Sequence, residues 1–146
     1  MKEIIIVDLD GTLSNCEHRV HHVESDPKDW KSFNEGMVND ELNVWCSKLI
    51  SSMKSTGTDT ILLTGRGEEF RRETESWLEQ HGIEYLELFM RAAKDSRTDC
   101  VVKKEIYTTQ ISPKFKTLFV VEDRRSVVKM WRSIDLTCLQ CDWGDF

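Results

Sequence analysis

No stretch of the 146-residue chain stays apolar over the length of a membrane span, so the sequence offers no transmembrane helix. Met1, Lys2 and Glu3 lead into a short aliphatic run that ends in acids, which is too short and wrongly flanked for a secretory signal. A cytoplasmic protein is expected. Proline occurs only twice, so a proline-rich linker or extended repeat is excluded, and a chain 39% hydrophobic and 32% charged reads as globular rather than disordered. Cysteine is present but odd in number: five thiols give no paired framework, and a reducing compartment would keep them as packing residues. Positive charge is in deficit. A net charge of −6 argues against a grip on nucleic acid by the whole surface, and leaves only local basic groups at Arg66, Arg71 and Arg72, at Arg91, Lys94 and Arg97, at Lys103 and Lys104, and at Arg124 and Arg125.

What is present is an alternation of aliphatic runs and amphipathic stretches, the order expected of an α/β protein whose central parallel sheet is covered by helices on both faces. Five strands are predicted at residues 4–7, 60–63, 86–89, 118–121 and 136–139. Leu42, Trp45, Leu49 and Met53 recur at helical spacing, as do Phe70, Trp77, Leu78 and His81, and Gly57 and Gly82 stop these two helices. A third helix contains Val102 and Ile106, and a fourth contains Val127, Val128, Trp131 and Ile134, so the tryptophans on these stripes are expected in the core. Residues 1–146 form one domain in this reading. Within it, residues 14–40 lack a period and are expected to be a functional loop or small lid. His18, His21 and His22 in that segment have no neighbouring ligand spacing that would complete a zinc site, which favours a solvated or substrate-facing role. Cys138 and Cys141 have the spacing of a metal or redox pair, but on a strand they point to opposite faces.

Polar residues gather where the predicted strands end, the position at which open α/β sheets bind ligands. The first strand runs into Asp8-Leu9-Asp10-Gly11-Thr12, the second into Thr64-Gly65-Arg66, the fourth into Glu122-Asp123-Arg124, and Lys103 lies on the helix before the fourth. Clustered carboxylates hold a hard divalent cation such as Mg²⁺, and that cation with Lys103 would screen an incoming phosphate from Asp8, so that a carboxylate can act as nucleophile. Asp10 is placed to protonate the leaving oxygen and later to take a proton from water, while Gly11 lets the chain turn with its amides toward phosphate.

At these residues the sequence resembles the haloacid-dehalogenase (HAD) superfamily of phosphatases, whose four motifs match Asp8-Leu9-Asp10-Gly11-Thr12, Thr64, Lys103 and Glu122-Asp123. The resemblance implies a Rossmann-like HAD fold with a small or minimal cap. It also implies catalysis by Asp8, Asp10, Thr64 and Lys103, with Mg²⁺ held by Asp8, the main-chain carbonyl of Asp10 and Asp123, supported by Glu122. Across nearly the whole chain the sequence is similar to the 3′-phosphatase domains of phage polynucleotide kinase/phosphatases. Arg19, Met90-Arg91, Asp95 to Asp99, Val127 to Arg132 and the terminal Gly144-Asp145-Phe146 carry that likeness. It implies substrate contacts by Arg19, Arg66 and Gly65, and support of the lysine by Asp99. The chain departs from that family at Glu122, where the relatives have Asp, and over residues 20–40, and it contains no GxxxxGK[ST] phosphate loop, so no kinase activity is expected.

The expectation is a Mg²⁺-dependent phosphoric monoester hydrolase that removes a terminal 3′-phosphate from DNA, RNA or a nucleotide, phage-encoded and working in the host cytoplasm. A nucleotidase or small-molecule phosphatase, and a phosphate-binding scaffold that has kept the fold, are the alternatives.

Overall fold

Ile4, Ile5, Ile6 and Val7 are all buried, and alternation along the strand divides them between two cores. The computed structural model describes residues 1–144, and Asp145 and Phe146 of the terminal motif lie outside the described residues. The strand β1 (Lys2–Val7) is central, with β4 (Asp59–Gly67) on one side and β6 (Phe115–Glu122) on the other. β5 (Glu87–Arg91) and β7 (Cys138–Gln140) close the edges in the order β5-β4-β1-β6-β7, and every pairing is parallel. The chain thus builds outward on one side of β1, then crosses back to build the other. That reversal opens a crevice at the carboxyl end of β1, between β4 and β6.

Helices cover both faces, which is why β1 reads as a continuous aliphatic run rather than an alternating one. Ile4 and Ile6 pack with Val102 and Ile106 of α5 (Asp99–Ile106) and with Val127, Val128 and Trp131 of α6 (Arg125–Ser133). Ile5 and Val7 pack with Cys46 and Ile50 of α3 (Val44–Ser55) and with Trp77 and Leu78 of α4 (Arg71–Gln80). The five predicted strands all exist, although β7 begins two residues later than the sequence pattern indicates and β4 runs on through Thr64, Gly65 and Arg66 to Gly67. Cys138 joins the core beneath Ile4 while Cys141 packs against the core beneath Ile5, so the two thiols do lie on opposite sides of the sheet.

The segment 14–40, expected as a functional loop or small lid, is a succession of short elements that includes α1 (His21–Glu24) and α2 (Trp30–Glu35). It has a small core of its own in Cys16, Val23 and Phe33, with Val20 against it. Its base is closed by β2 (Ser14–Asn15) pairing antiparallel with β3 (Glu41–Leu42), so the chain leaves and rejoins the sheet at one place. Helices of four and six residues are too short to display a 3.6-residue period in sequence. One expectation is corrected, at Leu42 and Trp45. Leu42 belongs to β3, and Trp45, in the first turn of α3, is 46% exposed. The helix buries Cys46 and Ile50, with Leu49 and Met53 half-covered beside them, so the inward stripe is rotated from the predicted one.

Trp131 is fully buried and meets Tyr107 edge-on at 5.5 Å. Trp131→Ala is expected to destabilise the protein by about 3–5 kcal/mol, as for other large-to-small core changes, whereas Trp45→Ala costs under about 1 kcal/mol. Urea unfolding of the two variants checks the contrast.

Candidate active site

Asp8 is the first residue past β1, and its amide donates to the Val121 carbonyl at 3.1 Å, which ties it to the end of β6. The chain then reverses through Gly11, at φ +84°, where any Cβ would stand 2.1 Å from Oδ2 of Asp123. Glycine is required there twice over, by the left-handed backbone and by the approach of a carboxylate. Glu122 ends β6, and Asp123 and Arg124 form the turn into α6.

Lys103 reaches this place from α5. Its Nζ lies 2.8 Å from Asp8 Oδ1, 2.9 Å from Glu122 Oε2 and 3.5 Å from Asp99 Oδ2, with the side chain buried. Burial works against the ammonium charge, but Asp8, Asp99 and Glu122 outweigh it and hold the lysine protonated, well above its ordinary range. Asp99 in turn stands among three cations: Lys103, Arg91 at 3.6 Å and Arg124 at 3.6 Å. It also presses against Gly65, where a Cβ would meet Asp99 Oδ1 at 2.1 Å.

Asp10 faces away from this group. Its carboxylate accepts from Nε and Nη2 of Arg66, at 3.1 Å and 2.7 Å, and from Nη2 of Arg19. Burial alone would raise its proton affinity, yet Arg66 and Arg19 together hold it well below the usual carboxylate range. Both arginines are almost completely buried. Arg66 also donates to Thr74 Oγ1 at 3.1 Å and touches the Met37 sulfur, and Thr64 Oγ1 accepts the Arg66 amide at 3.1 Å.

Asp40, which sequence reasoning did not single out, completes the arginine pair. Its carboxylate accepts from Arg19 Nε at 2.8 Å and Nη2 at 2.6 Å, His18 Nε2 lies 2.7 Å from it, and its carbonyl accepts the Trp77 indole N–H at 3.0 Å. Nothing in the local sequence marks it, because a single acid at the end of an aperiodic segment gives no spacing to read. His21 and His22 stack on each other at 4.0 Å on α1, away from this cluster.

A cavity of about 700 Å³ opens over Asp8, Asp10, Gly65, Arg66, Asp99 and Asp123. Among the described residues, Asp8, Glu122 and Asp123 are the group whose ligand atoms lie within 4.8 Å of one another, all buried. Burial first, then Asp8 and Glu122, push the Asp123 carboxyl well above its ordinary range, and Glu122 is likewise raised by burial and by Asp8. Adjacent buried carboxylates that resist ionisation are a donor set that fits a hard divalent cation. Glu122 is the least available of the three. Its Oε2 accepts from Lys103, and its Oε1 accepts the amides of Asp123 at 3.1 Å and Arg124 at 3.2 Å.

The family described as the polynucleotide kinase PNKP phosphatase domain matches residues 2–146. A protein of Autographa californica nuclear polyhedrosis virus, described as a bifunctional polynucleotide kinase/RNA ligase, is 24% identical over 136 residues, which is 90% of this chain and 18% of the viral protein. A chain in the structure of the Pnkp1/Rnl/Hen1 RNA repair complex superposes with a TM-score of 0.88 at 35% identity, covering all of this chain and 44% of that one. The class C acid phosphatase of Bacillus anthracis shares the fold, with a TM-score of 0.65 at 19% identity over 86% of this chain and 53% of its own. The chain therefore spans less than half the length of the viral protein and of the repair-complex chain it matches.

Two outcomes are expected. Asp40→Asn leaves buried Arg19 short of a counter-charge and costs about 3 kcal/mol of stability by chemical denaturation. For Asp123, a carboxyl with raised proton affinity keeps its proton in the folded state above about pH 4, where the unfolded chain has lost it, so stability falls as pH rises through that window. In chelator, the Tm of the unsubstituted protein should therefore drop more between about pH 5 and pH 8 than that of Asp123→Asn, and a divalent cation should raise the unsubstituted protein selectively.

Proposed function

Because this chain belongs to the polynucleotide kinase (PNKP) phosphatase-domain family of HAD phosphatases, and is therefore a phosphoric monoester hydrolase, we propose that it removes the terminal 3′-phosphate of a DNA or RNA strand. The observation that carries the reading is the junction of two charge systems in one cavity. A buried carboxylate group around Lys103 holds the nucleophile, and beside it Asp10 is clamped by two arginines.

In this reading Asp8 attacks phosphorus and the bond to the 3′-oxygen breaks, leaving a phosphoryl group on the Asp8 carboxylate. Asp10 gives its proton to the departing 3′-oxygen. Water then attacks the same phosphorus, Asp10 takes the water's proton, and the Asp8–phosphate bond breaks to release inorganic phosphate. The arginine clamp keeps Asp10 ionised in the free enzyme, which is the base form. A dianionic phosphate entering the cavity competes for both guanidinium groups and restores the carboxyl's affinity for a proton when an acid is needed. Lys103 orients Asp8 and balances its charge. Thr64, whose oxygen already accepts the Arg66 amide, directs its hydroxyl hydrogen to a phosphate oxygen, and the Arg91, Lys103 and Arg124 group around Asp99 attracts the anion.

Mg²⁺ fits beside Asp8 and Asp123 with the Asp10 carbonyl, where it would supply charge to screen attack by one anion on another. Glu122, engaged at both oxygens, serves as the strut that sets Lys103 and the Asp123 turn. This assigns direct cation contact to Asp123. No helix among the described residues is long and apolar enough to cross a membrane, and a viral relative accords with a viral source, which our reading takes to be a phage whose enzyme works in the host cytoplasm.

Incubation of a 3′-phosphorylated oligonucleotide with Mg²⁺ is expected to release phosphate, with Asp8→Asn slower by more than about a thousandfold. Turnover of 3′-mononucleotides but not of oligonucleotides would replace this reading with a nucleotidase, and silence on every phosphate ester would leave a scaffold.

A further inference from the structure

Resting on the 3′-phosphatase reading, we propose that Trp30 is a stacking platform for the terminal nucleobase of a single-stranded substrate. Trp30 opens α2, at the start of a helix capped by Asp29, whose Oδ1 accepts the Ser32 amide at 3.1 Å. Phe33 of the same helix is buried in the small core of the cap, yet Trp30 remains 39% exposed and lines the cavity that holds Asp8, Asp10 and Asp123. One side of the ring meets Phe33, with centroids 5.6 Å apart, while the remaining aromatic surface is presented to the cavity that holds the phosphate site.

Cations frame the ring. The Arg124 guanidinium carbon stands 5.3 Å from the indole centroid, and the same side chain reaches Asp99 at 3.6 Å, so one residue next to Asp123 joins the indole to the catalytic end. Lys28 Nζ lies 5.6 Å from the ring, and Lys28, Lys31 and Lys94 line the same cavity. Aromatic faces interleaved with basic side chains are how proteins bind single-stranded nucleic acid, the rings taking bases and the cations taking the backbone. Once the 3′-phosphate reaches Asp8 at the cavity floor, the terminal base lies toward the rim, where Trp30 is. A cavity of about 700 Å³ is of the size that takes one nucleotide, and the ring beside it favours an unpaired base that is free to stack.

The test uses Asp8→Asn as host, so that ligand is bound but not consumed. Adding Trp30→Ala is expected to weaken binding of a single-stranded 3′-phosphorylated oligonucleotide about five- to tenfold, the lower range for base–aromatic stacking, with Trp30→Phe retaining most of the affinity. With an oligonucleotide whose terminal residue is abasic, the loss caused by Trp30→Ala should be several-fold smaller. Equal losses on the two ligands, or no loss on either, would overturn the platform. Phosphate release by the unsubstituted enzyme, measured alongside on the base-bearing strand, decides the 3′-phosphatase reading separately from the binding comparison.

Discussion

Four carboxylates converge near the carboxyl end of β1, and a single ammonium group stands among them. Lys103 is within hydrogen-bond distance of Asp8 and Glu122 and within ion-pair distance of Asp99, while Asp123 adjoins the group without touching the lysine. Burial strengthens every one of these interactions, attractive and repulsive alike. The attractive ones fix Asp8. The uncompensated repulsion is concentrated on Asp123, and in our reading a further positive charge relieves it. The sheet topology serves this arrangement, since only the reversal at β1 brings the ends of β4 and β6 and the side of α5 to one point.

A second polar assembly borders the first. Asp10, Asp40, Arg19 and Arg66 form a network of two acids and two bases, almost wholly removed from solvent, whose members come from the β1 turn, the cap and β4. Its counter-charges balance, so it can persist in the interior, and a doubly charged ligand alters that balance more than any neutral one would. Trp77 and Met37 extend it, which makes the position of the cap sensitive to the same contacts that hold Asp10.

Much of this was legible in the residues. The strands were readable because parallel, doubly buried strands must be aliphatic throughout, and the gathering of Asp8, Lys103, Glu122 and Asp123 because strand ends carry the short polar motifs. The turn at Gly11 and the placing of Cys138 and Cys141 on opposite sides followed from local stereochemistry alone. What escaped the sequence depends on distance across the fold. Asp40 pairs with Arg19 from 21 residues away, a separation with no periodic signature. Trp45 fitted a helical stripe, but the helix starts only at Val44, after Leu42 is drawn into pairing with Ser14, and this rotates the buried face onto Cys46 and Ile50. A lid was expected over residues 14–40, but its individual elements escaped notice because they are shorter than the period needed to recognise them.

The run of β4 through Thr64 and Arg66 gives the site an uneven resistance to heat. Those two side chains are mounted on an inner strand between β1 and β5, so displacing them means opening the sheet itself. Trp30, by contrast, is carried on a six-residue helix resting on a three-residue core, a unit able to open by itself at far smaller cost. On warming, the cap should therefore loosen before the sheet does, and because Arg19 and Asp40 ride on it, the grip on Asp10 would slacken while Thr64 and Arg66 stay in place.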